Sequence, residues 1–328
     1  MDSGRVRRAG RLVTTASLAT AFGLLMALNG TAAGAQAIQA ALASRSTAAA
    51  AGPGICQSAR HPVIAARMSS RILAALAGRS SLVGLAVDDR VNGITCKLRP
   101  RWKFDSASVV KVTILSALLR KLQQEHRSLT AAQRKLATAM ITLSDNNAAS
   151  TLWAETGYPS LQHFLDLAGM TQTVLGQDGY WGLTLITAHD ELTLLQLLTS
   201  ANSVLTTASR NYVLGLMARV VAYERWGVPA GAPTDVTVHV KNGWLPLPAH
   251  GWRINSIGSF SGAGKDYMIV VLTDDNPTMA YGVHTVQAVA EVINHALNPG
   301  AASVIPAATP NGSWGRPDEQ IPGRSGGS

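Results

Sequence analysis

Apolar and polar positions along this chain change period several times. Behind Pro62, apolar residues recur at helical spacing as far as Ala77, and Gly78 follows, which predicts a helix over 62–77. Val83, Leu85 and Val87 then alternate, Asn92-Gly93 supplies a tight turn, and Ile94 to Leu98 returns, the pattern of a β-hairpin. Residues 108–122 read as a helix, and Leu136, Ala139, Met140 and Leu143 share one face of another. The pattern stays mostly helical to about residue 228. Strand signals resume at 236–240, 252–260 and 267–273, and a last helix carries Val286, Val289, Ile293 and Leu297 on one side.

Strands at both ends of the folded region and helices between them predict an α+β fold. The expected architecture is an antiparallel five-stranded sheet flanked by helices, with an inserted all-helical lobe and a cleft where lobe and sheet meet.

The two ends of the chain lack this periodicity. Arg5, Arg7, Arg8 and Arg11 precede an apolar stretch from Leu12 to Leu28, and Ala33-Gly34-Ala35 follows, so residues 1–35 read as an export signal peptide with a small-residue cleavage site. The Arg7-Arg8 pair leaves the Sec and twin-arginine routes both open, and an uncleaved membrane anchor is the other reading of the segment. Residues 36–54 are an Ala-rich linker, 55–298 the folded domain, and 299–328, rich in Pro, Gly, Ser and Asn, a disordered tail. The expected location is secreted or in the cell envelope, with no stable membrane insertion after signal cleavage.

Composition narrows the class. Of 328 residues, 47% are hydrophobic and only 14% charged, which suits a buried core and excludes a coiled coil or a disordered chain. The net charge of +9 falls to +6 once the four Arg and one Asp of the signal are removed. The remaining basic residues are scattered, so no nucleic-acid groove is implied. Cys56 and Cys96 are the two cysteines, and in an exported chain such a pair is expected to form a disulfide, two separate thiols being the alternative. The eight histidines show no metal spacing, and there is no phosphate loop, so neither a metal nor a cofactor is expected.

Three short motifs carry chemistry. Ser108-Val109-Val110-Lys111 opens a predicted helix, where positions three apart share a face, so the Lys111 amine can approach the Ser108 hydroxyl. A serine becomes a nucleophile when a base takes its proton, and a buried lysine can be that base. Ser144-Asp145-Asn146 ends a helix, and Lys241-Asn242-Gly243 ends the strand 236–240. Taken singly, the first lysine could be a surface residue, the second motif a helix cap, and the third a strand-end turn.

Together, in this order and on these elements, the three resemble the trio of class A serine β-lactamases and penicillin-binding peptidases, in particular compact actinobacterial serine hydrolases. The stretches 104–111, 141–149 and 241–246 carry the resemblance, which spans nearly all of 55–298. It implies a β-lactamase/D,D-peptidase-like fold in which Ser108 is acylated and Lys111 is the general base or its partner. Ser144 and Lys241 would serve the leaving group and the substrate carboxylate. Asn146, Asn242, Gly243 and Trp244 would bind substrate, with the backbone N–H groups of Ser108 and Trp244 forming the oxyanion hole.

The chain departs from that family in three places. The segment between Lys111 and Ser144 is short and omits an aromatic wall of the cleft, and Asn242 replaces the usual Thr or Ser. No glutamate occurs between Gly169 and His189, where class A enzymes keep the carboxylate that clears the acyl group. Asp178 is the carboxylate in that stretch, readable as a deacylation base or as a turn residue before Gly179. His239, two residues before Lys241, is either a cleft residue or a structural histidine. The expected function is an exported monomeric serine hydrolase acting through an acyl-enzyme on β-lactam or D-Ala-D-Ala-like amides. A D,D-peptidase, esterase or transacylase, and a non-catalytic protein that binds cell-wall peptides or β-lactams, are the alternatives.

Overall fold

The computed structural model describes residues 54–247 and 251–308. The expected signal peptide, nearly all of the linker and the tail beyond 308 lie outside the described residues.

Six antiparallel strands form the main sheet, in the order β1-β3-β2-β8-β7-β6. The five expected strands are β2 (Leu82–Asp89), β3 (Ile94–Leu98), β6 (Thr237–Leu247), β7 (Gly251–Gly262) and β8 (Lys265–Asn276). The sixth, β1 (Cys56–Gln57), is a two-residue edge strand too short for a periodic signal, and it sits where Cys56 faces Cys96 across the ladder and the two are disulfide-bonded. A small second sheet pairs β4 (Phe104–Asp105) with β5 (Leu185–Ile186).

Both faces of the sheet are covered. On β8, Tyr267, Ile269 and Val271 join one core with α1 (Pro62–Leu76) and α8 (Met279–Leu297). The alternate residues Met268, Val270 and Leu272 join a second core with the helical lobe. Buried on both sides, β8 therefore reads as a continuous apolar run. The lobe holds α2 (Val110–Gln124), α3 (Ala131–Thr142), α4 (Asn146–Thr156), α5 (Tyr158–Ala168), α6 (Ala188–Thr199) and α7 (Thr207–Met217). Local sequence sets several of its boundaries. Thr130 and Gln133 form a reciprocal capping box on α3, and Gly169 ends α5 in the left-handed conformation. Among the described residues no helix is long and apolar enough to cross a membrane.

The structure differs from the sequence expectation in three places. The stretch expected as one helix from Ser108 begins instead as a 3-10 turn, Ala107–Val109, and turns α-helical at Val110. Strand β6 does not stop near Lys241 but runs on through Gly243 and Pro246. As the edge of the sheet it can absorb a proline, which lacks an N–H for a further ladder. The chain also does not leave the body at 299. Ile305 exchanges backbone hydrogen bonds with the 231–232 segment, Val304 bridges Pro233, and Ala308 exchanges bonds with the Gln287 side chain. Ile305 and Ala308 pack against the α8 core, and that apolar contact holds the segment down.

Candidate active site

Ser108 is the middle residue of the 3-10 turn at the junction of lobe and sheet and is 4% exposed. The residues before it are pinned from β7. Asn255 Nδ2 donates to the carbonyls of Asp105 (2.8 Å) and Ser106 (3.3 Å). The Arg253 guanidinium lies 3.0 Å from Asp105 Oδ2 and 3.2 Å from Asp274 Oδ1. From the other side, the Ser106 N–H donates to the Thr184 carbonyl. Ala107 is thereby held at φ +46°, a left-handed conformation that costs a non-glycine residue about 1–2 kcal/mol.

Lys111 projects from the first turn of α2, three residues after Ser108, and is fully buried. Its Nζ donates to the Ser144 carbonyl (2.5 Å), to Asn146 Oδ1 (2.7 Å) and to Ser144 Oγ (3.2 Å), and it stands 4.8 Å from the centre of the Trp181 ring. Ser144 can offer both of its oxygens because it sits at φ +54° between α3 and α4. The cap reading of this motif also holds in part, since Asp145 is the N-cap of α4 and accepts from the Ala148 N–H.

Lys241 arrives from β6 on the opposite wall. It too is fully buried, and its Nζ donates to Ser144 Oγ at 2.8 Å and to the Asn242 carbonyl at 3.0 Å. Two buried amines from distant parts of the chain thus converge on one hydroxyl. Gly243 brings the strand against the turn that bears Ser108. A Cβ on it would lie 2.7 Å from Ser106 O, 2.8 Å from Ser108 N and 3.0 Å from Val109 N, all backbone atoms, so no side chain fits.

Asn242 does not face the cleft. Strand side chains alternate, so it points away from the side of Lys241. It is fully buried, and Nδ2 donates to the carbonyls of Glu224 (2.7 Å) and Trp226 (2.9 Å). With both donor hydrogens so engaged, it ties the strand to the 224–226 segment, and the expectation of an amide offered to substrate is corrected. The Trp244 side chain shares that rear face and packs against Trp226 at 6.0 Å between ring centres. His239 is mostly buried beside Ser259 Oγ on β7 (3.2 Å), and that burial lowers its pKa.

Asp178 occupies an exposed turn at φ +52°, followed by Gly179 at φ +84°. That position matches the turn expected before Gly179. The same loop is closed at its neck by Asp190, whose Oδ2 accepts from the Gln172 N–H, the Thr173 N–H and the Thr173 hydroxyl at 2.7–2.9 Å. Closing the neck carries Trp181 in beneath Lys111.

Sequence reasoning missed Glu224 and Trp181. Glu224 is buried, with Oε2 3.8 Å from Lys241 Nζ. Neither stands in a motif. A tryptophan in an otherwise polar, glycine-rich loop was the one available sign for Trp181.

A body of helices layered on an antiparallel sheet, with a serine at the head of a helix and two lysines meeting over a second serine, is the arrangement expected of a serine hydrolase. The comparisons agree with that class. A sequence model described as "Beta-lactamase enzyme family" matches residues 130–297, a span that includes Ser144 and Lys241 and begins after Ser108. The chain belongs to the beta-lactamase enzyme family and is a serine hydrolase. No curated protein sequence matches it significantly. Among solved structures it resembles a class A beta-lactamase from Bacteroides cellulosilyticus, with TM-score 0.62 and 18% identity over 71% of this chain and 97% of that one. It is similar to a beta lactamase from Xanthomonas campestris, with TM-score 0.60 and 20% identity over 72% and 99% of the two chains. A point mutant of PBP-A, solved as an acyl-enzyme complex with penicillin G, aligns with TM-score 0.61 and 17% identity over 70% of this chain and 95% of that one. At these identities the structural likeness speaks for the fold.

Proposed function

We propose that this protein is an exported serine hydrolase that opens β-lactam or D-Ala-D-Ala-like amides through an acyl-enzyme on Ser108. The observation that carries the reading is the Ser144 hydroxyl held between two buried amines, Lys111 and Lys241, beside the turn that bears Ser108. In this reading Ser108 Oγ attacks the amide carbonyl carbon and its proton passes to Lys111. The backbone N–H groups of Ser108 and Trp244 hold the oxyanion. As the carbon–nitrogen bond breaks, Ser144 gives its proton to the leaving nitrogen and is reprotonated from the lysines. Asn146 holds the substrate amide, and Lys241 attracts the carboxylate. Water then cleaves the ester and restores Ser108.

The export reading rests on the N-terminal sequence and is supported by the Cys56–Cys96 disulfide, a bond that persists in oxidising compartments. The chain is read as residues 1–35 removed on export, a linker to 54, and an enzyme domain that acts as a monomer. A slower variant of the same chemistry, a D,D-peptidase or transacylase, is favoured by the exposed position of Asp178 and by the loop's lack of a glutamate.

A pulse-chase with a fluorescent penicillin, read by gel and by mass spectrometry of the adduct, tests this. Label on Ser108 in the native chain and none in Ser108→Ala is the expected result. Rapid loss of label identifies a β-lactamase, and persistent label the slower enzyme. An unlabelled native protein beside a labelled control enzyme overturns the proposal in favour of a non-catalytic binding protein or another substrate.

A further inference from the structure

Lys111 and Lys241 both point a nitrogen at Ser144 Oγ, at 3.2 and 2.8 Å. Chemically they are the same group, yet the acyl-transfer reading needs them to differ: one must take a proton while the other stays a cation. The structure supplies one asymmetry on the Lys241 side. Glu224 Oε2 lies 3.8 Å from Lys241 Nζ, with side-chain exposures of 5% and 0%, and that oxygen has no hydrogen-bond partner among the described residues.

The segment that carries Glu224 is held firmly. Its carbonyl and that of Trp226 accept from Asn242 Nδ2. Gly227, at φ +84°, packs so tightly on Ser256 that a Cβ would lie 2.3 Å from Ser256 Oγ, and the Val228 N–H donates to that same oxygen. The carboxylate therefore stays beside Lys241 rather than swinging in from a mobile loop. The cations on neighbouring elements are Lys111, which α2 brings to the same Ser144 hydroxyl, and Arg225, which stands next to Glu224 and donates to the carbonyls of Ala218 and Val238. The partner of Lys241 across the ladder on β7 is Ile257, which carries no charge. His239, on the same strand, turns to Ser259. Burial lowers the Lys241 amine below its ordinary pKa, and the Glu224 charge offsets part of that lowering.

We propose that Glu224 is a positioning residue whose carboxylate keeps Lys241 an ammonium, so that Ser144 accepts from it and aims its own hydrogen into the cleft. A neutral Lys241 would offer a lone pair instead, and the Ser144 hydroxyl would turn its hydrogen toward that nitrogen and away from a leaving group. The inference rests on the acyl-enzyme reading of the site for its consequence, though not for the ion pair itself.

Two experiments test it. The first is the rate of fluorescent-penicillin labelling against pH for the native chain, Glu224→Gln and Glu224→Asp. Loss of an opposite charge within 4–6 Å shifts a titration by at least about one pH unit, so the alkaline limb of Glu224→Gln falls that much lower, and Glu224→Asp restores most of the difference. A limb that stays in place, or a loss equal at every pH, overturns the proposal. The second needs no substrate: melting temperatures at pH 7 of Glu224→Gln, Lys241→Met and the double variant. Each single change strands a buried partner, so the double variant should melt well above the sum of the single losses. Additive losses overturn the pairing. A native chain that takes no label would sink the acyl-enzyme reading, and the melting cycle would still decide the ion pair.

Discussion

Glu191 stands in the first turn of α6 with both carboxylate oxygens buried and without a hydrogen-bond partner among the described residues. Burial is the main reason its pKa rises from 4.5 to about 8, and the neighbouring Asp190 charge adds to it. A carboxyl that binds its proton more tightly in the folded state withdraws stability as pH rises. Below 4.5 both states are protonated and nothing is lost. Between 4.5 and about 8 the unfolded chain ionises while the folded chain does not, at about 1.4 kcal/mol per pH unit. Above about 8 both states are ionised, and the loss levels off near an upper bound of about 5 kcal/mol. Glu191→Gln keeps the shape and removes the titration. Thermal unfolding of both proteins from pH 4.5 to 9 should therefore give melting points that nearly coincide at the acid end. They should diverge in favour of the variant through neutrality and run parallel above pH 8. At about 2–4 °C per kcal/mol for a domain of this size, the final gap is on the order of 10 °C. A gap independent of pH, or a native protein more stable than the variant at pH 8, would refute the reasoning.

Other outcomes follow from the same geometry. Gly243→Ala puts a methyl group where three backbone atoms of the Ser108 turn already stand, and its labelling rate should fall about 100- to 1,000-fold, as when an oxyanion donor is lost; a rate within a few-fold of the native chain contradicts the fit. Asp178→Asn alters an exposed turn residue, so the decay of label in a chase should match the native chain, and slowed decay would return Asp178 to the deacylation role. Cys56→Ser opens a bridge between residues 40 apart, which in the chain-entropy account removes about 4 kcal/mol; urea unfolding measures it, and a loss under 1 kcal/mol would show the bridge to be incidental.

The residues of the site were legible to different degrees. Ser108, Lys111, Ser144 and Lys241 stand in short motifs whose order along the chain is itself a signal, and the structure brings Lys111, Ser144 and Lys241 into hydrogen-bond contact. The rear-facing position of Asn242 is legible from strand parity, which puts it opposite Lys241. Glu224 was not legible: an acidic residue between Tyr223 and Arg225 has no local pattern, and its meaning comes wholly from lying beside a strand that starts 13 residues later. The same holds for Glu191, which the helical pattern places on α6 but whose lack of a partner depends on what packs over it.

Local chemistry and periodicity, then, determine the helices, the hairpin, the α+β class and the elements on which the motif residues Ser108, Lys111, Ser144 and Lys241 stand. These depend on neighbours within a turn or two, where spacing alone dictates who shares a face. The sheet order that sets β8 between β2 and β7, and the left-handed turns that aim Ser106–Ser108 and Ser144, come from packing. So does the burial that depresses the Lys241 amine and raises the Glu191 carboxyl. Charge states in a cleft depend on desolvation and on partners beyond the reach of local periodicity, and only the folded chain brings those together.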